Sequence, residues 1–369
     1  MNLDRQKVVV AMSGGVDSSV AALLMQRAGF EVIGITLKLW DAPKDEPQRH
    51  ASCCSIEDIG DARRVADQLG IPFYVINSKA QFREQVVDKF VAEYLAGRTP
   101  NPCALCNDKV KFDFLFTKAF ELGAYHVATG HYAQKHRDPA TGEWQLRKGR
   151  DGRKDQSYFL FSLGQRQLEH TLFPVGGMDK EEVRRLAREA GLKTSEKPDS
   201  QEICFVPGGD HGDFIAKYLQ GAAPAAGEIV NESGEVLGRH EGIHRYTVGQ
   251  RRGTQVAQGE RVYVKAIDPR TNRITMSDNG ALFQPVLLAS GVRWVRPVSD
   301  GIEVTARIRH RHEGSPATLR LVEAGRVRVE FHEAQRAISP GQAVVFYRGE
   351  ECLGGGWIEA GLGSPEGGA

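Results

Sequence analysis

The sequence has no long hydrophobic run. Its longest apolar stretches, residues 8–12 and 20–25, fall far short of the roughly 20 residues that a membrane-spanning helix needs. The N-terminus, MNLDRQKVVV, places no apolar stretch ahead of a small-residue cleavage site, as a secretory signal would. We therefore expect a cytoplasmic protein without a membrane partner.

Cysteine is scarce, and neither sign of charge dominates. Six cysteines in 369 residues are too few for a disulfide scaffold, and clustered cysteines in a reducing compartment more often bind metal or act in catalysis. Lys and Arg number 48 and Asp and Glu 47, for a net charge of +1, so composition neither supports nor excludes a nucleic-acid partner. With 41% hydrophobic residues, the chain is that of an ordinary globular protein, too long for a single core.

The N-terminal part alternates between strand-like and helix-like segments. Short apolar runs predict buried strands, and apolar residues at helical spacing predict helices. The predicted strands are 7–12, 31–37, 72–76 and 125–129, and the predicted helices are 16–28, 55–69, 79–96 and 109–122. This alternation predicts an α/β fold, with a parallel sheet covered by helices on both faces.

The pattern changes after about residue 210, where short strand-like runs separated by Gly, Pro, Asn and Asp begin. Such runs are typical of small β domains and barrels. We predict an N-terminal parallel-sheet domain at 1–215, a small central β domain at 216–280, a C-terminal β-barrel at 281–361 and a tail at 362–369. Within the barrel, RIRHRH (307–312) is interpreted as a strand that places Arg307, Arg309 and Arg311 on one face. That face is either solvated charge or a phosphate contact.

A glycine-rich loop, SGGVDSS at 13–19, directly follows the first predicted strand and opens the first helix. Glycines allow close backbone approach, hydroxyls donate hydrogen bonds, and a helix N-terminus offers N–H groups and a positive dipole end. The loop is neither a Walker A loop nor a GxGxxG motif. It predicts a phosphate-binding site of another kind.

The cysteines favour sulfur chemistry near that loop. Cys103 and Cys106 form a CxxC, and Cys106 precedes a helix predicted to begin near Asp108, where the helix dipole would stabilise a thiolate. Cys204 follows a polar segment after Pro198, which predicts a loop. Two separated thiols suit sulfur transfer, in which one carries a persulfide and the other resolves it by disulfide formation. A structural zinc half-site is the alternative for the CxxC, although no second pair lies nearby.

The loop resembles that of the PP-loop ATP pyrophosphatases, which cleave ATP to AMP and pyrophosphate in order to adenylate a substrate. The resemblance implies an adenine nucleotide alpha hydrolase-like fold with ATP and Mg²⁺ as cofactors, the Mg²⁺ lying near Asp17. The ATP-binding residues that it implies are Ala11, Met12, Ser13, Gly14, Gly15, Val16, Asp17, Ser18, Leu37 and Gly130.

A more specific resemblance extends over nearly the whole chain. The segments SGGVDSS, NPCALCN–KVKF, ATGHY, KDQSY, DSQEICF, YTVGQRRG and PGQAVVFY–LGGGWI are similar to the ordered motifs of the tRNA-specific 2-thiouridylases. That family adenylates the C2 oxygen of the wobble uridine of tRNA and then replaces it with sulfur from a persulfide.

The resemblance implies a role for individual residues. Cys106 would be the nucleophile and Cys204 the persulfide-bearing cysteine. The implied tRNA contacts are Asn101, Pro102, Cys103, His131, Lys154, Asp155, Gln156, Arg309, His310 and Gln342. The expected partners are tRNAs of the Lys, Glu and Gln type and a persulfide donor or relay protein, and the chain is expected to act as a monomer.

Two departures from the family pattern leave alternatives open. Many members have aspartate at the position of Cys103, and that aspartate would be their candidate for the general base. Because this chain has cysteine there, its general base is unassigned. The second departure is His310, where tyrosine is common in the family. Cys103, Cys106 and Cys204 together suggest a second hypothesis, a [4Fe–4S] cluster held by three thiolates. Two other functions also remain. The first is an amide-forming PP-loop synthetase, which would need an ammonia source. The second is an RNA-binding protein that senses ATP, which would release no pyrophosphate.

Overall fold

The structure, a computed structural model, describes residues 3–41, 55–199, 203–254, 256, 260–323 and 325–363. Part of the DSQEICF motif (200–202) and the predicted tail from 364 onward lie outside the described residues. The chain divides into two compact units that interleave along the sequence. Unit 1 comprises 1–87, 103–209 and 350–352, and unit 2 comprises 88–102, 210–349 and 353–369.

The predicted helix 55–69 is found as α2 (Ile56–Leu69), whereas the predicted helix 79–96 is divided into α3 (Lys79–Phe82), a π-helical stretch (Arg83–Val87) and α4 (Asp88–Leu95). In α2, Ser55 and Asp58 form a capping box, and Gly70 ends the helix at a φ of 65°, a left-handed conformation that glycine adopts without strain. Within the described residues, no helix is long and apolar enough to span a membrane. The α-helices are α1 Val16–Arg27, α2 Ile56–Leu69, α3 Lys79–Phe82, α4 Asp88–Leu95, α5 Pro102–Cys106, α6 Asp113–Glu121, α7 Gln165–His170, α8 Lys180–Glu189 and α9 His211–Tyr218.

Unit 1 is built on a parallel sheet. Its strands lie in the order β3-β2-β1-β4-β7, and each neighbouring pair is parallel. A hairpin of β5 and β6 also belongs to this unit. The strands are β1 Asp4–Ala11, β2 Glu31–Lys38, β3 Phe73–Asn77, β4 Ala124–Thr129, β5 Ala133–Arg137, β6 Trp144–Lys148 and β7 Thr171–Leu172.

The core of unit 1 explains why its central strand is a continuous apolar run. Val8, Val9 and Val10 of β1 have no exposed surface, as expected for a strand covered on both faces. Residues of the sheet pack with α1 and α8 in one hydrophobic cluster, in which Val20 and Val183 are fully buried. The predicted α/β fold with a parallel sheet is confirmed.

Unit 2 contains two β structures, as the sequence predicts. One is a sheet in the order β10-β11-β8-β9, and the other is a barrel in the order β12-β15-β14-β13-β16-β17 that closes by pairing of β12 with β17. The strands are β8 Gly227–Val230, β9 Val236–His240, β10 Tyr263–Asp268, β11 Arg273–Ser277, β12 Phe283–Trp294, β13 Glu303–Arg307, β14 Ser315–Glu323, β15 Arg326–Arg336, β16 Ala343–Arg348 and β17 Glu351–Leu362.

The interpretation of RIRHRH as a strand is wrong. Strand β13 ends at Arg307, and the residues after it form bends and a turn. The Arg307 side chain explains the ending, since its Nε donates to the carbonyl of His312 at 2.8 Å and its Nη2 donates to the carbonyl of His310. Arg307 therefore satisfies the backbone of its own turn and does not share a strand face with Arg309 and Arg311.

Candidate nucleotide and thiol site

The glycine-rich loop winds around the start of α1. The Ser13 N–H donates to Ser18 Oγ at 3.1 Å, and the hydroxyls of Ser18 and Ser19 donate to the carbonyl of Gly15 at 3.1 and 2.8 Å. Gly15 is the N-cap residue of α1, and no side chain caps the helix. The first turn of α1 thus has the form of an anion-binding helix terminus.

Two glycines allow the backbone to approach this loop. Gly14 has a φ of +75°, and a Cβ there would lie 2.1 Å from the carbonyl oxygen of Asp58. A Cβ on Gly130 would lie 2.7 Å from the backbone nitrogen of Ser18. The structure therefore brings Gly130, which follows β4, against the start of α1.

The other residues implied in ATP binding lie where parallel strands end. Ala11 ends β1 and pairs with Ile35 and Thr129. The Met12 N–H continues the ladder by donating to the carbonyl of Ile35 at 2.8 Å. Leu37 is buried near the end of β2. This carboxyl edge of a parallel sheet is where ligands of open α/β folds collect.

A network of charged groups surrounds Asp17 in the first turn of α1. Lys180 Nζ lies 2.8 and 2.9 Å from the two carboxylate oxygens of Asp17, and the Tyr132 hydroxyl donates to Oδ1 at 2.7 Å. Lys180 Nζ also lies 2.7 Å from Asp199 Oδ1, and Lys154 Nζ lies 2.7 Å from Asp199 Oδ2. A continuous row of ion pairs therefore joins Asp17, Lys180, Asp199 and Lys154.

The network changes the acidity of two of its members. Burial acts to raise the pKa of Asp199, but hydrogen bonds from Lys154 and Lys180 outweigh it and lower the pKa below its ordinary value. Burial and the neighbouring Asp17 carboxylate raise the pKa of Tyr132, so its hydroxyl stays protonated as a donor. Sequence reasoning missed Lys180 because 163 residues separate it from Asp17 and no local pattern pairs them.

A second lysine supports the loop from its carbonyl side. Lys197 Nζ donates to the carbonyl of Gly14 at 3.1 Å and to carboxylate oxygens of Asp58 and Asp61 at 2.5 Å each. Its pKa is raised, because these two carboxylates outweigh the effect of burial. Lys197 therefore ties the loop to α2.

The structure corrects the expected position of Cys106. The helix predicted to begin near Asp108 begins at Pro102, and Cys106 is the last residue of α5, followed by a π-helical stretch, Asn107–Phe112. Proline suits the first helical position, since that position needs no N–H donor. Cys103 therefore lies in the first turn, where the dipole argument applies, and Cys106 does not. Cys103 is exposed and Cys106 is buried.

The segments of Cys106 and Cys204 pack against the same stretch of chain. Phe205, next to the partly buried Cys204, packs edge-to-face on Phe82 with ring centroids 5.6 Å apart. The π-helical stretch Arg83–Val87 that follows contacts the stretch Asn107–Phe112 that follows Cys106. Both thiols thus belong to unit 1, which also holds the glycine-rich loop.

The thiols do not form a metal site in this arrangement. Among the described residues, which include Cys103, Cys106 and Cys204, no group of three or more His, Cys, Asp or Glu side chains is placed to hold a metal ion. The residues therefore do not fit the hypothesis of a [4Fe–4S] cluster on these three cysteines.

Several residues implied in tRNA binding make intramolecular contacts in unit 1. His131 Nδ1 lies 2.9 Å from Thr129 Oγ1, and burial together with the charge of Lys111 lowers the pKa of His131 to about 3. Asp155 accepts hydrogen bonds from the N–H groups of Gly149 and Ser157, and Gln156 Oε1 accepts one from Tyr132, at 3.0 to 3.2 Å.

Other implied tRNA contacts, Asn101, Pro102, Arg309, His310 and Gln342, lie in unit 2, whereas Cys103 and Lys154 lie in unit 1. Gln342 Nε2 donates to the carbonyls of Thr99 and Pro100 at 3.2 and 3.1 Å, so it holds the segment before α5. Asn101 is buried. Arg309 and His310 are exposed, and Arg309 Nη1 donates to a carbonyl at 3.3 Å.

The parallel sheet, the glycine-rich loop at its carboxyl edge and the thiols in the same unit define a nucleotide-binding α/β enzyme class. Family models agree with this description. Residues 6–208 match a model described as tRNA methyl transferase HUP domain, residues 212–278 the tRNA methyl transferase PRC-barrel domain, and residues 285–358 an aminomethyltransferase beta-barrel domain.

Curated relatives give a more specific result. The chain is 50% identical to tRNA-specific 2-thiouridylase MnmA of Geotalea uraniireducens over 97% of its length and 96% of the relative, and 49% identical to the protein of the same name from Geobacter metallireducens over 97% and 98%. It therefore belongs to the tRNA-specific 2-thiouridylase MnmA family. The model descriptions mention methyl transfer, but the full-length relatives are named for thiolation.

A solved structure of a 4-thiouridine synthetase–RNA complex with bound ATP aligns with 52% of this chain and 42% of its own, at 20% identity and a TM-score of 0.33. That score is too low to support an argument about function.

Proposed function

We propose that this chain is an enzyme that uses ATP to replace the C2 oxygen of the wobble uridine of tRNA with sulfur, giving 2-thiouridine, AMP and pyrophosphate. One observation carries the proposal: the 50% identity over 97% of the chain to a relative named tRNA-specific 2-thiouridylase. The geometry of unit 1 supports it, because an anion-binding loop and two separated thiols lie in the same compact unit.

Activation precedes sulfur transfer because the C2 oxygen is a poor leaving group. That oxygen attacks the α-phosphorus of ATP, the bond to pyrophosphate breaks, and the base carries AMP on C2. The N–H groups at the start of α1 and the loop of Ser13–Ser18 would hold the departing pyrophosphate, which the form of this helix start supports. Mg²⁺ bound with ATP would neutralise phosphate charge there.

Sulfur is then delivered by Cys204. The terminal sulfur of a Cys204 persulfide attacks C2, directly or as sulfide released when Cys106 attacks the persulfide, and AMP leaves with the oxygen. The Cys106 thiolate takes the place of the transferred sulfur on Cys204 Sγ, which forms a disulfide. An external dithiol supplies the two electrons that restore both thiols. The packing of both segments against residues 79–87 supports this pairing.

The remaining roles belong to the same proposal. The residues proposed to contact tRNA are Asn101, Pro102, Cys103, His131, Lys154, Asp155, Gln156, Arg309, His310 and Gln342. The proposed partners are tRNAs of the Lys, Glu and Gln type and a persulfide donor or relay protein, with the chain acting as a cytoplasmic monomer. We propose the domain boundaries 1–215, 216–280 and 281–361, with catalysis in the first and tRNA binding in the third.

The decisive experiment is mass spectrometry of tRNA nucleosides after incubation with the protein, ATP, Mg²⁺, a persulfide donor and a dithiol. We expect an ATP-dependent mass gain that corresponds to exchange of oxygen for sulfur on the wobble uridine. Cys204→Ser should abolish the gain while tRNA binding stays within about threefold of wild type, since a thiol contributes little binding energy. Cys352→Ala, at a buried position of β17, is the control and should remain active.

Two outcomes would contradict the proposal. Cleavage of ATP to AMP and pyrophosphate without any mass gain would favour another PP-loop reaction, such as amide formation. Binding of tRNA without release of pyrophosphate would favour an RNA-binding protein that senses ATP. For Cys204, loss of tRNA binding in Cys204→Ser would count against its assignment as the persulfide carrier.

A further inference from the structure

Lys180 is a buried cation shared between two carboxylates. Its side chain is 8% exposed, and Nζ lies within 2.9 Å of both oxygens of Asp17 and 2.7 Å from Asp199. Burial of an ammonium group is costly unless it is paired. Here the carboxylates of Asp17 and Asp199 both pair with the one ammonium group, which offsets the cost of its burial.

Without its pairing to Lys180, the carboxylate of Asp17 would repel an anionic ligand at this helix terminus. Asp17 lies in the first turn of α1, where the helix terminus attracts phosphate. A phosphate group that binds there comes close to the carboxylate of Asp17, and two like charges at short range repel. A cation between the two groups reduces this repulsion, whether Lys180 supplies it or the cation comes with the ligand.

Lys180 also occupies the oxygens that a Mg²⁺ ion near Asp17 would need. Both carboxylate oxygens of Asp17 accept from Lys180, and Oδ1 accepts from Tyr132 as well. Asp17 therefore fits a magnesium ligand only after Lys180 leaves it. The ammonium that leaves would remain beside Asp199 and next to the incoming phosphate groups.

The backbone of Lys180 is fixed while its side chain is long and flexible. Lys180 is the first residue of α8, behind an Asp179 N-cap that forms a capping box with Glu182, and its N–H lies 3.4 Å from Asp151 Oδ2. Lysine carries its charge on four methylene groups with rotatable bonds. The ammonium can therefore change partners without movement of α8.

We propose that Lys180 is a phosphate ligand of the nucleotide site. When ATP binds, the ammonium group of Lys180 leaves the carboxylate of Asp17 and pairs with the pyrophosphate portion of the nucleotide. The inference rests on the proposed use of ATP at this loop. It distinguishes Lys180 from Lys197, whose ammonium is held by the carbonyl of Gly14 and by Asp58 and Asp61 and thus supports the loop itself.

Calorimetry with three probes tests the assignment in the full-length protein with EDTA present: ATP, AMP and inorganic pyrophosphate. Lys180→Met should weaken ATP and pyrophosphate binding by about tenfold or more, the value of a hydrogen bond to a charged group, and AMP binding by less than about threefold. Lys180→Arg should retain most of the affinity, because it keeps the charge. Lys193→Met, at an exposed position, is the matched control and should behave as wild type.

The Asp17→Asn variant tests the exchange itself. If Asp17 and phosphate compete for Lys180, this variant should bind pyrophosphate about threefold or more tightly than wild type in EDTA, and the gain should vanish when Lys180→Met is added. If the ion pair only maintains the loop, Asp17→Asn should weaken binding. Equal losses for ATP and AMP in Lys180→Met, or an unchanged gain in the double variant, would overturn the inference.

These measurements separate the inference from the proposed reaction. ATP binding that depends on Lys180, in a protein that thiolates no tRNA, would keep the inference and remove the proposed function. If the wild-type protein thiolates tRNA but its pyrophosphate binding does not depend on Lys180, the proposed function stands and the inference is wrong.

Discussion

At the scale of single residues, the site depends on positions where a side chain is excluded or a charge is suppressed. Gly14 has both a left-handed φ and a backbone carbonyl where its Cβ would stand. His131 has its charge suppressed, because burial and Lys111 lower its pKa to about 3. Each of these conditions can be tested by a single substitution with a matched control.

Gly14→Ala should distort the loop. A Cβ at 2.1 Å from the Asp58 oxygen forces the backbone to shift, and we expect a loss of unfolding free energy of about 2 kcal/mol or more, together with loss of pyrophosphate binding. The control is Gly29→Ala, where φ is +85° but no atom lies within 4 Å, so only the backbone cost of about 1 kcal/mol applies. Urea denaturation and calorimetry measure both quantities, and equal losses for the two variants would refute the steric argument.

His131 should destabilise the folded protein in acid. Its pKa is about 3 in the folded state against 6.5 ordinarily, so the unfolded chain binds the proton first as the pH falls. The contribution of His131 to the unfolding free energy is therefore fully present above pH 6.5 and is lost progressively as the pH falls towards 3. Between about pH 7.5 and 5, the unfolding free energy of wild type should therefore drop more than that of His131→Gln.

Urea titrations at both pH values measure this difference, with the exposed His136→Gln as control. Identical pH dependence in wild type and His131→Gln would show that the ring of His131 is accessible to protons.

At the scale of elements, the segment before α5 is held in place by the barrel of its own unit. Gln342 donates to the carbonyls of Thr99 and Pro100, and the Thr99 N–H donates to the carbonyl of Pro340. Pro102 then starts α5. The segment Thr99–Pro100 is therefore held by hydrogen bonds to residues more than 200 positions away in sequence.

Gln342→Ala should lower the unfolding free energy by about 1–2 kcal/mol, because it removes two hydrogen bonds of about 1 kcal/mol each. Gln342→Glu should have a similar effect, since a carboxylate cannot donate to these carbonyls. Denaturation by urea measures the change, and Gln6→Ala at the exposed start of β1 is the control. Unchanged stability with weakened tRNA binding would instead indicate that Gln342 contacts tRNA directly.

The sequence was informative about elements where local patterns decide the structure. The apolar run of β1 and the helical spacing of apolar residues in α2 predict a buried strand and a helix correctly. The start of α5 and the end of β13 were mispredicted, because Pro102 starts the helix early and Arg307 bonds to its own turn. The ion pair of Asp17 and Lys180 could not be predicted from the sequence, since it depends on tertiary packing of distant segments.

At the scale of the whole molecule, Cys103, Cys106 and Cys204 are not grouped as three ligands of one cluster would be. No metal-binding group of three or more ligands occurs in the part of the chain that the structure describes. We expect protein purified anaerobically to hold well under one iron per chain, and EDTA-treated protein to thiolate tRNA fully once Mg²⁺ is restored. Iron and sulfide analysis with the nucleoside assay measures this. Activity that rises with iron content would reinstate the cluster hypothesis.

The interleaving of the two units has a consequence for biosynthesis. Residues 350–352 belong to unit 1, where Glu351 and Cys352 pair with Arg147 and Leu146 of β6. A ribosome releases the chain from its N-terminus, so unit 1 lacks this strand until residue 352 has left the exit tunnel. Residues 88–102 likewise belong to unit 2, but more than a hundred residues of unit 1 are translated before the next segment of unit 2 begins. Both units therefore reach their final structure only near the end of synthesis, and a fragment cut at residue 209 omits part of the thiol-bearing unit.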